Sequence, residues 1–236
     1  VTFPFTNEKR LSCLIKIHKK VGMPFKFLQN LAQNNNRVWF EENRNDYELA
    51  KNQVEALVES CIAEIAKFQD LGNASAKNCM FRIYRDVRFS KNKDPYKLNF
   101  SALIGQNGKK SKSVFGWYIH IQPNESFMAA GLYEPEKDQL AKIRQEIDYN
   151  GEELISLIQS PEFKETFGEI KGNQLKTVPK GFPKDHQMAD LLRFNQYYVM
   201  HSFRDKEVLS PDFPQKLAEI CKKATPFLSF FERALS

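Results

Sequence analysis

The stretch VFGWYIHIQPNESFMAAGLY, residues 114–133, contains two segments of alternating apolar and polar residues joined by a short polar connection. In the first segment, three large apolar residues alternate with Tyr118 and His120. Side chains two positions apart lie on the same face of a strand, so the alternation predicts strands over 114–122 and 126–133. The connection is too short for a crossover, and we therefore expect the two strands to pair antiparallel.

Three further segments show the same two-residue period, at 80–89, 97–104 and 196–203. Apolar residues at helical spacing precede these segments over 47–65 and return in several stretches after Pro135. The sequence therefore predicts an α+β fold. An antiparallel sheet of about five strands, mostly a meander, would have a long N-terminal helix and C-terminal helices packed around it.

The composition is typical of a globular protein, with 42% hydrophobic and 27% charged residues in a chain of 236. No apolar run approaches the ~18 residues that a membrane span requires, so we expect no membrane partner. The four cysteines are widely spaced and no Cys/His cluster accompanies them, which argues against a zinc site or a disulfide framework. We expect reduced thiols in a cytoplasmic protein, without a metal or cofactor.

The N-terminal residues differ from the rest of the chain in charge. Residues 1–23 carry five basic residues against one acidic residue and supply most of the formal net charge of +6. They lack the apolar core of a signal peptide, and a regular helical pattern starts at Met23. We interpret residues 1–22 as an extension and residues 23–236 as a single α+β domain.

The segment RIYRDVRFSKNKDPYK, residues 82–97, holds six basic residues and two acidic ones. A partly buried excess of charge is costly, because two like charges about 4 Å apart repel by about 4 kcal/mol at an effective dielectric of 20. The excess predicts carboxylates from elsewhere in the chain or a bound anion, and arginine suits bidentate capture of phosphate or carboxylate. The candidate ligand-binding residues in this segment are Arg82, Arg85, Asp86, Arg88, Lys93 and Tyr96.

Arg85 does not fit a regular strand at this position. Alternation places the other charged residues of 82–88 on one face, and Arg85 on the opposite, apolar face with Ile83 and Phe89. An unpaired guanidinium there would be costly, so we expect either a bulge at 84–86 or a carboxylate partner. The candidate partners are Glu41, Glu42 and Glu48.

Two further candidates lie outside the segment. His120 is on the polar face of its strand, where it could serve as an acid–base group near the arginines or as a hydrogen-bonded residue of the sheet. Lys180, in the turn PKGF, could offer an ammonium group to an anion or simply belong to the turn. The sequence has no nucleophile elbow, P-loop or dinucleotide fingerprint, and so it leaves open whether the protein is an enzyme.

The 82–97 segment also resembles the signature of a bacterial family of uncharacterised proteins, the domain-of-unknown-function 2461 family. That signature reads Arg-x-x-Arg-Asp-x-Arg-Phe-x-x-[Asp/Asn]-Lys-x-x-Tyr. The matching residues, without a gap, are Arg82, Arg85, Asp86, Arg88, Phe89, Asn92, Lys93 and Tyr96. NNNRVWFEENR, GWYIHIQP, GLYEP and LKTVPKGFPKDH are similar too, and the resemblance covers residues 24–235. It implies a family but no activity, because none is established for the family.

Three functions are compatible with these residues. The first is binding of a small anion or phosphate-bearing ligand, with or without catalysis, at the arginine-rich segment. The second is a non-enzymatic structural or interaction domain in which Arg82 and Asp86 belong to a salt-bridged brace. The third is binding of a nucleic-acid backbone, with charge from Lys91, Lys93 and the GKKSK loop at 108–112. The sequence makes no prediction of oligomeric state.

Overall fold

The computed structural model describes residues 22–110 and 116–236. The predicted N-terminal extension lies outside these residues except for Gly22, and so does Lys112 of the GKKSK loop. The helices are α1 (Met23–Gln33), α2 (Arg37–Glu42), α3 (Arg44–Ile65), α4 (Ala76–Cys79), α5 (Lys137–Gln159), α6 (Pro161–Phe167), α7 (Ala189–Leu192), α8 (Asp205–Val208) and α9 (Phe213–Leu235). The strands are β1 (Phe100–Gly105), β2 (Gly116–Ile121), β3 (Ser126–Leu132) and β4 (Tyr197–Phe203).

The four strands form one antiparallel sheet in the order β1-β2-β3-β4. In the register, Trp117 on β2 lies opposite Ile104 on β1 and Ala130 on β3. Helices α5, α6 and α7 separate β3 from β4 along the chain, although the two strands are neighbours in the sheet. The predicted α+β class with an antiparallel sheet and flanking helices is confirmed, with four strands in place of about five.

The missing strand is the one predicted over 80–89. This segment makes two isolated bridges, Met80 with Ala102 and Tyr84 with Tyr96, and otherwise forms no regular ladder. Two local causes explain the difference. Pro95 has no N–H to donate to a ladder, and the Asp86 side chain accepts from the backbone N–H two residues later, which competes with sheet pairing.

One face of the sheet is buried and the other is partly open. Along β2, Trp117, Ile119 and Ile121 are buried, whereas Tyr118 and His120 are half-buried, as their alternation predicts. Helix α9 lies against β3 and also contacts α3 and α5. The fully buried indole of Trp117 ties the layers together, because its Nε1 donates to the Cys221 carbonyl oxygen of α9 at 3.1 Å.

Short chain segments cover both outer strands of the sheet. At the β1 edge, Met80 bridges Ala102 and the Phe81 N–H donates to the Ser101 carbonyl oxygen at 2.9 Å. At the β4 edge, the Lys171 N–H donates to the Tyr198 carbonyl oxygen at 2.7 Å. The segment that covers β1 is the beginning of the arginine-rich stretch, which places that stretch directly beside the sheet.

Candidate functional site

Residues 80–99 connect α4 to β1 and fold back on themselves as an irregular hairpin. The Arg85 N–H donates to the Pro95 carbonyl oxygen at 2.9 Å, and the Lys97 N–H donates to the Ile83 carbonyl oxygen at 2.8 Å. These two bonds hold the arms of the hairpin together without extending the sheet. The hairpin brings the residues of the family signature onto two adjacent arms.

Side chains along the first arm alternate between solvent and protein, although this arm is not a strand. Ile83 is buried and Arg85 is half-buried. Phe89 departs from the alternation: it was expected on the apolar face, but 96% of its surface is exposed. The exposed residues between 82 and 88 are Arg82, Tyr84, Asp86 and Arg88.

Tyr96 anchors the hairpin in the core. Its ring is 3% exposed and stacks on Phe40 of α2, with centroids 4.0 Å apart and planes at 11°. The Asn35 side chain clamps the Tyr96 backbone, because Asn35 Nδ2 donates to the carbonyl oxygen at 3.0 Å and Asn35 Oδ1 accepts from the N–H at 3.2 Å. Burial raises the pKa of the Tyr96 hydroxyl. These contacts give Tyr96 a structural environment.

Arg85 is satisfied inside its own hairpin. Its Nη1 donates to the Asp94 carbonyl oxygen at 3.1 Å, and its Nη2 donates to Ser90 Oγ at 3.4 Å. Of the two alternatives expected for Arg85, a bulge or a carboxylate partner, the second is not found among the described residues: a neutral carbonyl and a hydroxyl accept its hydrogen bonds, in a segment that is not a regular strand. Within the described residues, Arg85 forms no ion pair with any of the three candidates, Glu41, Glu42 and Glu48.

Asp86 and Arg88 pair with each other at the surface. Arg88 Nε donates to Asp86 Oδ1 at 3.0 Å, and Arg88 Nη2 donates to Asp86 Oδ2 at 2.7 Å. The bond from the Arg88 side chain, followed by its backbone N–H and the charge of Arg82, lowers the pKa of Asp86. Lys93 Nζ donates to the Val87 carbonyl oxygen at 3.0 Å. Arg88 and Lys93 are therefore already engaged by protein groups.

Arg82 lies apart from that pair and lines a cavity of about 310 Å³. The cavity is lined by residues of α3, α4, the start of the hairpin, β1 and the short 3₁₀ turn at Gly108–Lys110. Four cationic side chains and a single carboxylate line it. These are Lys51, Lys77, Arg82, Lys109 and Glu55.

The four cations of this cavity differ in how far protein groups satisfy them. Lys51 Nζ lies 3.5 Å from Glu55 and 3.6 Å from Glu48, and Lys109 Nζ donates to the Met80 carbonyl oxygen at 2.7 Å. Arg82 and Lys77 form no hydrogen bond or ion pair within the described residues. The lining therefore carries more positive than negative charge, and its two unbonded cations, Lys77 and Arg82, are exposed.

Aromatic residues and Met80 supply the apolar part of the lining. The rings of Tyr47 and Phe100 stack with centroids 6.3 Å apart, and both residues are buried. Two lysines flank the Phe81 ring: Lys109 Nζ is 6.0 Å and Lys97 Nζ is 5.5 Å from its centroid. Burial, and then the charge of Arg82, lowers the pKa of Lys97.

His120 lies on the partly open face of the sheet. Its Nε2 is 3.0 Å from Gln122 Oε1, its Nδ1 is 3.3 Å from the Tyr118 hydroxyl, and its ring stacks on Phe127 at 4.6 Å. Burial lowers the pKa of His120, and the nearby charge of Lys97 acts in the same direction. These contacts favour the second of the two roles considered for His120, that of a hydrogen-bonded residue of the sheet. The charge of Lys97, which lies in the hairpin, nevertheless acts on His120.

Lys180 is exposed in the turn that Gly181 completes with φ 100°. It makes no hydrogen bond or ion pair within the described residues and does not line the cavity. Of the predicted site residues, Arg82 alone lines the cavity, while Asp86, Arg88 and Lys93 cluster at the tip of the hairpin. This grouping gives no support to anion binding by Lys180 or to acid–base use of His120.

Sequence reasoning missed most of the residues that surround Arg82. Lys51 and Glu55 are one helical turn apart on α3, about thirty residues before Arg82, so the local sequence does not connect them with it. Lys77 is only five residues from Arg82, but the end of α4 intervenes and its position cannot be derived from a single period. Lys109 belongs to the basic loop at 108–112, and its place beside Met80 depends on tertiary structure. The sequence signal that could have indicated this cavity is the aromatic residue Phe81 directly before Arg82, because both residues line it.

The described residues contain no group of three or more His, Cys, Asp or Glu side chains placed to hold a metal ion. None of the described helices combines the length and the apolarity needed to cross a membrane. These two findings concern 22–110 and 116–236 alone.

A comparison with protein families gives one match, to the model described as "Conserved hypothetical protein (DUF2461)", over residues 24–230. No curated protein and no solved structure showed a significant match to the chain. The matched region spans α1 to most of α9 and includes the hairpin and every charged residue of the cavity. The chain therefore belongs to the DUF2461 family of conserved hypothetical proteins.

Proposed function

We propose that the protein binds a small anion, of the phosphate-bearing class, in the cavity lined by Arg82. The observation that carries this proposal is the charge of the lining, which includes four cationic side chains and one carboxylate. Two of these cations, Lys77 and Arg82, form no hydrogen bond or ion pair within the described residues, although the charge of Arg82 acts on Asp86. Both side chains are exposed, so their charges are available to an anion that enters the cavity from solvent.

The size and chemistry of the cavity suit this class of ligand. Its volume of about 310 Å³ is at the lower end of the ~300–1,000 Å³ range of small-molecule sites. Arginine offers a planar fork for bidentate binding of phosphate, and lysines add mobile point charges around it. The proposal concerns binding and assigns no reaction.

A thermal-shift titration tests the proposal. Phosphate, pyrophosphate and sulfate are compared with chloride at matched ionic strength, so that general screening cancels. An anion present at 100 times its dissociation constant should stabilise the protein by about 2.7 kcal/mol. Arg82→Gln should remove the shift. Arg88→Gln is the matched control, since Arg88 belongs to the same signature but pairs with Asp86 outside the cavity.

Two results would contradict anion binding in this cavity. One is a wild-type protein that no phosphate-bearing anion stabilises beyond chloride. The other is an Arg82→Gln variant that shifts as much as the wild type, which would move the anion to another part of the surface.

A structural role for part of the same segment has its own support. The stack of Tyr96 on Phe40 and the two bonds from Asn35 fix the hairpin to α2 and to the chain before it. We therefore propose that Tyr96 and Arg85 stabilise the hairpin and that Arg82 binds the ligand. The exposed Asp86–Arg88 pair should add little to stability, because solvent screens surface ion pairs.

Binding of a nucleic-acid backbone is a third candidate function, and a binding assay with the wild-type protein tests it. The hairpin tip carries Lys91 and Lys93 beside the exposed ring of Phe89. Binding through phosphates would weaken steeply with salt, because each neutralised phosphate releases counterions. An oligonucleotide that fails to bind at 50 mM salt removes this candidate and leaves the cavity proposal untouched.

We also place the protein in a reducing compartment, the bacterial cytoplasm. Cys61, Cys79 and Cys221 are buried free thiols. Burial raises the pKa of Cys61 to about 12, so this thiol stays protonated and unreactive. Free buried thiols of this kind are ordinary in cytoplasmic proteins.

A further inference from the structure

The cavity has two chemically different walls. One wall comes from α4, the start of the hairpin and the 3₁₀ turn, and it carries Lys77, Arg82 and Lys109. The other comes from α3 and carries Lys51 and Glu55. On the α3 wall the lysine is already shared between two carboxylates, at 3.5 and 3.6 Å. Positive charge available to a ligand is therefore concentrated on the first wall.

Glu55 pairs with Lys51 at 3.5 Å, but Lys51 also pairs with Glu48, so the carboxylates on this side of the cavity outnumber the cation they share. A carboxylate facing a phosphate at 4 Å would cost about 4 kcal/mol at an effective dielectric of 20. A carboxylate is a strong acceptor, so its natural counterpart is a ligand group that donates a hydrogen bond. The ligand that fits both walls has an anionic end toward Arg82 and donors toward Glu55.

The volume of the cavity also exceeds what inorganic phosphate needs. About 310 Å³ falls in the ~300–1,000 Å³ range of sites that bind small organic molecules. The space between the walls is lined by Met80 and by the rings of Tyr47, Phe81 and Phe100. These groups give the carbon skeleton of a small metabolite an apolar surface to pack against, beside polar groups that can bind its substituents.

From these three features we infer that the ligand is a phosphate monoester whose carbon skeleton carries hydroxyl groups. The phosphate binds Arg82 and Lys77, with Lys109 beside them, and a hydroxyl donates to Glu55. This inference rests on the proposed function and narrows it to one chemical class. Sugar phosphates and nucleoside monophosphates share that chemistry and are separated by the probes below.

Isothermal titration with four probes tests the inference: inorganic phosphate, glucose, glucose 6-phosphate and adenosine monophosphate. At least one ester should bind ten times or more tightly than inorganic phosphate, and glucose should not bind measurably. Glu55→Gln keeps the size of the side chain but removes its charge, so it should weaken binding of that ester at least tenfold. The same variant should bind inorganic phosphate as tightly as the wild type or more tightly.

Glu48→Gln is the matched control, because Glu48 also contacts Lys51 but does not line the cavity. This variant should keep the affinity of the wild type for the ester. Circular dichroism of all variants checks that they fold alike. The ester that binds tightly, glucose 6-phosphate or adenosine monophosphate, identifies the skeleton.

The possible failures are distinguishable. If inorganic phosphate binds and neither ester binds more tightly, the inference is overturned while anion binding stands. The inference is equally overturned if Glu55→Gln leaves ester affinity unchanged. If neither phosphate nor the esters bind, the proposed function fails, and the ligand class fails with it.

Discussion

At the scale of single residues, the family signature divides into groups with different tasks. Tyr96 is buried against Phe40, Arg85 bonds within its hairpin, and Arg88 pairs with Asp86 at the surface. Arg82 is the member that lines a cavity and forms no hydrogen bond or ion pair within the described residues. One run of charged residues therefore contains both the brace and the proposed binding group.

The first prediction concerns Tyr96. Tyr96→Ala should lower the free energy of unfolding by about 3–5 kcal/mol, as expected when a large aromatic side chain is removed from a core. Urea denaturation monitored by circular dichroism measures the change. Phe89→Ala is the control, because Phe89 is 96% exposed and its loss should stay within about 0.5 kcal/mol. Equal effects of the two substitutions would refute the anchoring role.

The second prediction concerns His120 and pH. Burial lowers its pKa below the ordinary value of about 6.5, so the unfolded chain takes up a proton more readily than the folded protein. The stabilisation from neutral His120 is therefore complete above about pH 6.5 and is lost as the pH falls through the lower folded pKa.

His120→Gln should accordingly show a shallower loss of stability than the wild type between pH 7.5 and pH 5. Chemical denaturation at several pH values measures both slopes, and the difference between them cancels groups common to the two proteins. The neighbouring charges of Lys97 and Glu125 act in opposite directions and remain in the variant. Parallel slopes would show that His120 does not titrate differently on folding.

At the scale of elements, β3 and β4 approach each other closely at Gly131. This residue has φ 127°, and a Cβ built on it would lie 2.2 Å from the Tyr197 carbonyl oxygen. Neither feature is compatible with a side chain, since the backbone of the neighbouring strand cannot move aside cheaply. The glycine therefore sets the spacing of the two strands at the end of their ladder.

The third prediction follows from this contact. Gly131→Ala should cost more than about 3 kcal/mol, because the clash adds to the ~1–3 kcal/mol strain of a positive φ. Gly181→Ala is the matched control, with φ 100° and no atom within 4 Å of the built Cβ, so it should show the strain alone. Thermal or urea unfolding measures the free energy of unfolding of both variants. A loss of stability in Gly181→Ala as large as that in Gly131→Ala would exclude the clash as the cause.

Strands could be predicted from the sequence where the two-residue alternation of apolar residues matched one buried face of the sheet. The Trp117-to-Ile121 alternation located β2, and the neighbouring segment located β3, within about two residues. The same period failed over 80–89, because Asp86 bonds to a local N–H and Pro95 cannot donate. Lys51 and Lys109 could not be assigned to Arg82 from sequence, since long-range folding alone brings them to one cavity.

At the scale of the whole molecule, the buried apolar residues form one core cluster that runs from α1 to α9. Trp117 lies at its centre between the sheet and α9, whereas Trp39 is partly buried on α2, beside Phe27. The two tryptophans therefore report on the middle of the core and on the end that holds the hairpin.

The fourth prediction is that the described region unfolds in one step. Variants Trp39→Phe and Trp117→Phe each retain one tryptophan, and for each we expect the fluorescence midpoint in urea to coincide with that from circular dichroism. If the core unfolds cooperatively, both probes report the same transition and their midpoints coincide. An early fluorescence change in Trp117→Phe, where Trp39 remains, would mean that α2 and the hairpin melt separately.

The segment that covers β1 has a consequence for solubility. An uncovered outer strand offers unpaired N–H and C=O groups to another chain, which is a common route to aggregation. Here the cover depends on Met80 and Phe81, which sit beside Arg82 at the proposed ligand. A ligand that holds these residues in place would also keep the strand edge closed. Occupancy of the cavity and resistance to self-association are therefore expected to rise together.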